Sequence, residues 1–214
     1  MANIMIPALI MVILGIVMIS ACALSSDKTA TANVKNEIID VNFQKALETV
    51  IIHEGGYSDD KRDPGGATKF GISLRFLKGI NGDIDGDGDV DRDDIIKLTR
   101  THADEIYLHH WWHKHRYNLI HNPEIATKIM DGSINMGAGS CHRLVERAIN
   151  SLIDDDIKVD TILDNSTIKL LNTLPPHKLL QALRDQYRWH YMAIIDRNPK
   201  LIVYKNGWFK RAAS

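Results

Sequence analysis

The sequence predicts a mainly α fold with one small β-element. Three observations carry this. Apolar residues recur at helical spacing through most of the chain beyond residue 42. The densest turn chemistry, Asp63-Pro64-Gly65-Gly66, falls within 57–73 and marks a loop or small hairpin there. Residues 177–197 hold one long helical register, with Leu179, Leu180, Leu183, Tyr187, His190, Tyr191, Ile194 and Ile195 on a shared face.

The N-terminal stretch stands apart. Residues 4–24 carry no charged side chain, which reads as an export signal or a membrane segment. The run ends Ile19-Ser20-Ala21-Cys22, which resembles a bacterial lipobox with Cys22 as the lipidated residue. No Lys or Arg precedes the apolar run, and an uncleaved signal anchor is the alternative. Either reading places the rest of the chain in the cell envelope or periplasm, held at the membrane. Residues 1–24 are thus a signal or anchor, and the small, polar residues 25–40 a linker. Roughly 180 residues remain, the size of one domain.

Charge and cysteines narrow the class. The chain has a net charge of −1, which implies no general attraction to nucleic acid. Residues 83–94 hold seven Asp and one Arg, leaving +5 on the remainder. A mildly basic body with a cation-neutralised loop suits an anionic polymer; ordinary surface charge is the plainer alternative. With Cys22 lipidated, Cys141 has no disulfide partner and reads as a small buried hydrophobe.

The elements follow in order. Residues 42–53 form a helix with Phe43, Ala46, Leu47, Val50 and Ile51 on one face, Asn42 as its cap and Gly55-Gly56 as its end. Glu54 then sits at the helix C-terminus, where the dipole and partial burial favour the protonated form, as a general acid requires. Asp63 follows nine residues later and Thr68 fourteen, and the intervening glycines let a bulky substrate approach the backbone. Ser73-Leu74-Arg75-Phe76-Leu77 starts a short helix.

Counted from Asp83, acids at positions 1, 3, 5, 9 and 12 (Asp83, Asp85, Asp87, Asp91, Asp94), Gly88 at 6 and Val90 at 8 match a twelve-residue EF-hand-like calcium loop. Asp89 adds a further carboxylate. Calcium takes six to eight hard oxygens, and glycine permits the sharp turn. Residues 95–98 begin the exiting helix. Residues 101–117 read as a helix capped by Thr101, with Ile106, Tyr107, His110 and Trp111 toward the core. His109 and His113 have zinc-pair spacing, but no third ligand stands out. Trp111 or Trp112 suits stacking on a sugar ring, with core packing expected for one of them. Helices at 125–134 and 143–152, a polar bend at 155–162 and a helix at 165–174 complete the pattern.

His53-Glu54-Gly55-Gly56-Tyr57 with Asp63-Pro64-Gly65-Gly66-Ala67-Thr68-Lys69-Phe70-Gly71-Ile72 resembles glycoside hydrolase family 108. That family comprises bacterial and phage N-acetylmuramidases with a lysozyme-like α+β fold, including secretion activators. Asp131-Gly132-Ser133-Ile134-Asn135-Met136-Gly137, Val159-Asp160, Asn198-Pro199 and Gly207-Trp208-Phe209-Lys210-Arg211 resemble the peptidoglycan domain that accompanies it. The resemblance implies a lysozyme-like catalytic region at 41–120 and a helical peptidoglycan-domain region at 121–214 packed on it. It implies Glu54 as the acid. By analogy with phage lysozymes, Asp63 stabilises charge at the anomeric carbon or aids a water that Thr68 positions. Tyr57, Trp111 and Trp112 would contact substrate. The pattern departs at Glu146-Arg147, where Leu-Gln is common, which bears on glycan contacts. The expected enzyme is a monomeric lysozyme-type hydrolase of the muramic acid–glucosamine bond, with structural calcium; a lytic transglycosylase or a non-catalytic wall-binding protein is the alternative.

Overall fold

The computed structural model describes residues 41–52, 56–59 and 66–214. The readings placed on Cys22 and the N-terminal apolar run lie outside these residues, as do those on Glu54 and Asp63. Asn42–Ser214 form one unit by their internal contacts. Among the described residues no helix is long and apolar enough to cross a membrane.

Helix α1 covers 41–52 and buries Phe43, Ala46, Leu47 and Val50, the face read from the sequence. Asn42 lies inside the helical residues and is not its cap. Strands β1 (Thr68–Lys69) and β2 (Ile72–Ser73) pair antiparallel, Thr68 with Ser73 and Lys69 with Ile72. The two residues between them, Phe70 and Gly71, both have positive φ (52° and 78°), the backbone of a tight hairpin whose twist matches its strands. Helix α2 (Leu74–Gly79) is capped by Ser73, whose side chain accepts from the Phe76 N–H. The acidic loop leads into α3 (Arg92–Lys97).

Helix α4 (Arg100–Tyr107) is capped by Thr99 and not Thr101: the Thr99 hydroxyl and the His102 ring satisfy each other's backbone N–H groups. It runs on as a π-helical turn, Leu108–His113. A 3-10 turn (Tyr117–Leu119) then leads to α5 (Pro123–Met136), whose first N–H groups bond the Asn122 side chain. Gly137, at φ 82°, turns the chain into α6 (Ala138–Asn150). Helix α7 (Asn165–Leu171) is capped by Asp164. Helix α8 (Pro176–Arg197) is the longest; a 3-10 segment (Pro199–Tyr204) and α9 (Lys205–Ala213) close the chain. Helix α5 packs on α6, α6 on α8 and α8 on α9, so the second half is a helical stack over a continuous core. The mainly α fold with one small sheet is the one the sequence predicts.

Candidate functional site

Residues 56–59 return alongside the hairpin. The Ser58 N–H donates to the Thr68 carbonyl and the Thr68 N–H to the Ser58 carbonyl, both at 2.8 Å. Ser58, Thr68 and Ser73 therefore lie abreast in a three-segment β-element. Glu54 lies just past α1 in sequence and Asp63 between Ser58 and Thr68; neither is among the described residues. Thr68, half-buried, donates its hydroxyl to the Gly66 carbonyl at 3.3 Å, which fixes its rotamer. The Tyr57 side chain is exposed, with its hydroxyl accepting from Arg92 Nη2 at 3.2 Å.

Helix α3 braces this element. Arg92 also pairs with Asp59 at 2.5 Å, so one guanidinium holds both residues flanking Ser58. Lys69 Nζ donates to the Ile96 carbonyl at 2.6 Å. From the other side, the Tyr107 hydroxyl donates to the Phe70 carbonyl at 3.0 Å and pins the hairpin tip to α4.

The acidic loop that precedes α3 is organised by its own carboxylates. Asp83 accepts from the Gly86 and Gly88 N–H groups at 2.7 and 3.0 Å. Buried Asp94 accepts from Ile84 at 2.6 Å and from Asp91 at 2.7 Å, closing a capping box at the start of α3. Gly86 and Gly88 take positive φ (78° and 99°). Oxygens of Asp83, Asp85 and Asp87 lie within 4.8 Å of one another, as do those of Asp89, Asp91 and Asp94. Repulsion from Asp87 raises the Asp89 carboxyl above its usual range, whereas the Lys97 ammonium, 2.6 Å from Asp85, holds that group below it. Six hard-oxygen side chains around two tight turns fit calcium in donor chemistry. Ile84 and Val90 tuck against the core, as the loop pattern requires.

Trp112, assigned above to substrate, is a core residue at 1% exposure, packed at a tilt against Phe43 (5.6 Å) and edge-on to Tyr117 (6.5 Å). The π-helical turn is the physical cause. Over Leu108–His113 the register departs from the 3.6-residue period, so spacing counted from Ile106 and Tyr107 no longer fixes which tryptophan is buried. Trp111 is rotated outward, half-buried against Phe76 (4.7 Å) and Tyr107 (5.2 Å), and keeps an open edge. His110 is half-buried, edge-on to Phe76 at 5.8 Å, and His109 and His113 are exposed.

The second half has polar groups at its centre. The Tyr117 hydroxyl bonds Ser133 and, at 2.9 Å, His142 Nε2; His142 Nδ1 contacts the Thr161 carbonyl at 2.7 Å. Lys128 donates to the Arg211 and Ala212 carbonyls, both at 2.7 Å, and burial pulls its ammonium down to about 8. Cys141 is fully buried and contacts the Tyr187 hydroxyl at 3.1 Å, and burial pushes its thiol up to about 11, the setting of a small packed side chain. Glu146 is buried, accepts the Asp160 N–H at 2.7 Å and is pushed up to about 7 by desolvation. Its neighbour Arg147 is exposed.

These contacts explain the motif at 131–137. Asp131 forms a two-pronged pair with Arg211, at 2.8 and 3.0 Å, tying α5 to α9. A Cβ on Gly132 would fall 2.7 Å from Tyr187 Cζ, so only glycine lets α8 approach. Asn135 accepts the Tyr191 hydroxyl at 2.8 Å. The motif encodes packing.

Comparison with known proteins bears on the first half most directly. Residues 47–137 match the family model described as Glycosyl hydrolase 108. Among solved structures the chain is similar to the structure of Brucella abortus SagA, at 23% identity and a TM-score of 0.65, over 81% of this chain and 91% of that one. That likeness shows the fold. No curated protein matches the chain. The glycosyl hydrolase 108 resemblance is thereby shown for 47–137, the stretch holding Glu54, Asp63, Thr68 and the acidic loop; residues beyond 137 lie outside the match.

Proposed function

We propose that this chain is a peptidoglycan hydrolase of the N-acetylmuramidase type, with Glu54 as its general acid. The observation that carries the reading is the glycosyl hydrolase 108 match over 47–137, which contains the Glu54-Gly55-Gly56-Tyr57 and Asp63–Thr68 motifs. The described geometry supports it. Residues 57–59, which run on from the Glu54 motif, are hydrogen-bonded to β1 through Ser58 and braced by Arg92 of α3, while Lys69 ties β1 itself to the Ile96 carbonyl of α3. That is the rigid support a catalytic carboxylate needs. Tyr57 and the open edge of Trp111 supply aromatic surface for sugar rings.

In this mechanism Glu54 protonates the glycosidic oxygen as the bond to the anomeric carbon breaks. The oxocarbenium-like transition state is stabilised by Asp63, and a water oriented by Asp63 and Thr68 completes hydrolysis. Trp112 has no part in it. The protein acts as a monomer in the bacterial envelope, anchored through its N-terminal segment at lipidated Cys22 or by an uncleaved span.

The test is digestion of purified peptidoglycan by the full chain in mild detergent, with mass spectrometry of the products. Reducing muramic acid ends are expected. Anhydro-muramic ends would reassign the protein to the lytic transglycosylases, and the absence of any released fragment would favour a wall-binding role.

We also assign the 83–94 loop to structural calcium, held by Asp83, Asp85, Asp87, Asp91 and Asp94 with Asp89 in support. The ion would supply the countercharge that Lys97 alone does not give these acids, and fix the start of α3, hence the Arg92 and Lys69 contacts. Chelation with EDTA is expected to lower the melting temperature, with recovery on adding calcium but not magnesium. An unchanged melt would remove calcium from the account.

A further inference from the structure

A concave site lies between α6 and α8, lined by none of the residues given a catalytic or calcium role above. It is a cavity of about 290 Å³ lined by Ser140, Arg143, Arg147, Trp189, His190 and Arg197. Three guanidiniums converge on it: Arg143 and Arg147 sit one turn apart on α6, and Arg197 two turns after His190 on α8. Among the described residues none of the three arginines has an ion-pair partner, although surface arginines elsewhere do, such as Arg92 with Asp59 and Arg100 with Asp104. Burial first, and then the charges of Arg197, Arg143 and Arg147, push the His190 imidazole below its usual range. The Arg147 guanidinium lies 5.7 Å from the Trp189 ring centre, and that indole is 59% exposed. The aromatic face holds the cation at the rim while leaving an apolar wall for a ligand.

We propose that this cavity is an anion subsite that takes a carboxylate of the peptidoglycan stem peptide. The proposal rests on the peptidoglycan reading above and names the part of the polymer engaged. Like charges held around one small volume repel, and an anionic ligand converts that repulsion into binding. Guanidinium forks match carboxylates in pairs. The Trp189 face suits the apolar side of a peptide or sugar, and the Ser140 hydroxyl adds a neutral hydrogen-bonding group. The concavity argues against a lipid surface. A membrane would be met by a convex apolar tip such as Ile202 and Val203, which are exposed but do not line the cavity.

The test is calorimetric titration of the full chain in mild detergent with a soluble muramyl peptide, and with the same compound after amidation of its carboxyls. The wild type is expected to bind the acid form at least about tenfold more tightly than the amidated form. Arg143→Ala/Arg147→Ala is expected to erase that preference with little change in melting temperature, since the only close contact it removes is the exposed Arg147–Trp189 one while it relieves repulsion among the arginines. Affinity should fall with salt, because the site is solvent-connected. Equal affinity for both forms, which needs only the wild type, overturns the proposal; so does a double variant that keeps the preference. Arginine-dependent binding to phosphatidylglycerol vesicles with none to the muramyl peptide would transfer the site to lipid and also overturn it. Failure of the hydrolase reading is separable: a chain that releases nothing from peptidoglycan yet binds the acid form through these arginines keeps this subsite and loses the enzyme.

Discussion

Replacing Glu54 by Gln is expected to lower the rate of fragment release from peptidoglycan by about 10² to 10⁴, the range contributed by a positioned general acid. Glutamine keeps the length and polarity of the side chain but has no proton to give the leaving oxygen. Substrate binding should change little, because the acid acts in the transition state rather than in the ground state. Sedimentation of the variant with insoluble peptidoglycan would therefore match the wild type while soluble products disappear. Thr68→Ala offers the internal contrast. Its hydroxyl already donates to the Gly66 carbonyl, and removing it should weaken turnover without abolishing it. A Glu54→Gln protein within about threefold of wild-type turnover, well short of what loss of a general acid produces, would sink the assignment.

The reach of the sequence differs from element to element. Local signals were sufficient for the helix faces: Phe43, Ala46, Leu47 and Val50 are buried together, and Leu179, Leu183, Tyr187, Tyr191 and Ile195 form the inner face of α8. The small hairpin and the acidic loop were legible because glycine at positive φ and alternating acids are chemical requirements of those conformations. Three things were not. Helix α4 starts at Thr99 because a capping box with His102 outcompetes the single hydroxyl of Thr101, and both spacings looked alike. The π-turn at 108–113 changed which tryptophan is buried, and helical periodicity assumes the very register that the turn breaks. The bracing of 57–59 by Arg92 joins residues 35 apart in sequence, and no local pattern announces it. The cationic cavity was hidden for the same reason, since Arg147 and Arg197 are brought together only by the packing of α6 on α8. The Glu146-Arg147 departure did point toward this region, with the two residues in opposite roles: Glu146 is an internal acceptor, and Arg147 faces the cavity.

Substituting Asp131 by Ala is expected to be the most damaging single change to stability, by about 3–5 kcal/mol, the loss typical of breaking a buried pair by removing one partner. The Asp131 carboxylate is 4% exposed and its Arg211 partner 12%, so water reaches neither well. Deleting the carboxylate takes the two-pronged acceptor from the largely buried Arg211 guanidinium and removes the negative charge beside buried Lys128, whose ammonium burial already disfavours. Helix α9 is fastened to α5 chiefly by this pair and by the Lys128 bonds to the Arg211 and Ala212 carbonyls, so both fastenings weaken together. Thermal or urea unfolding of the full chain measures the loss. The companion Asp131→Ala/Arg211→Met protein separates the two components of the effect. If the uncompensated desolvation of the guanidinium dominates, the double variant regains most of the stability, because an apolar side chain of similar length tolerates the site. If α9 is held mainly by the hydrogen bonds the pair makes, the double variant stays as unstable as the single one. A loss below about 1 kcal/mol for Asp131→Ala, the scale of an exposed ion pair, would show that water enters between α5 and α9.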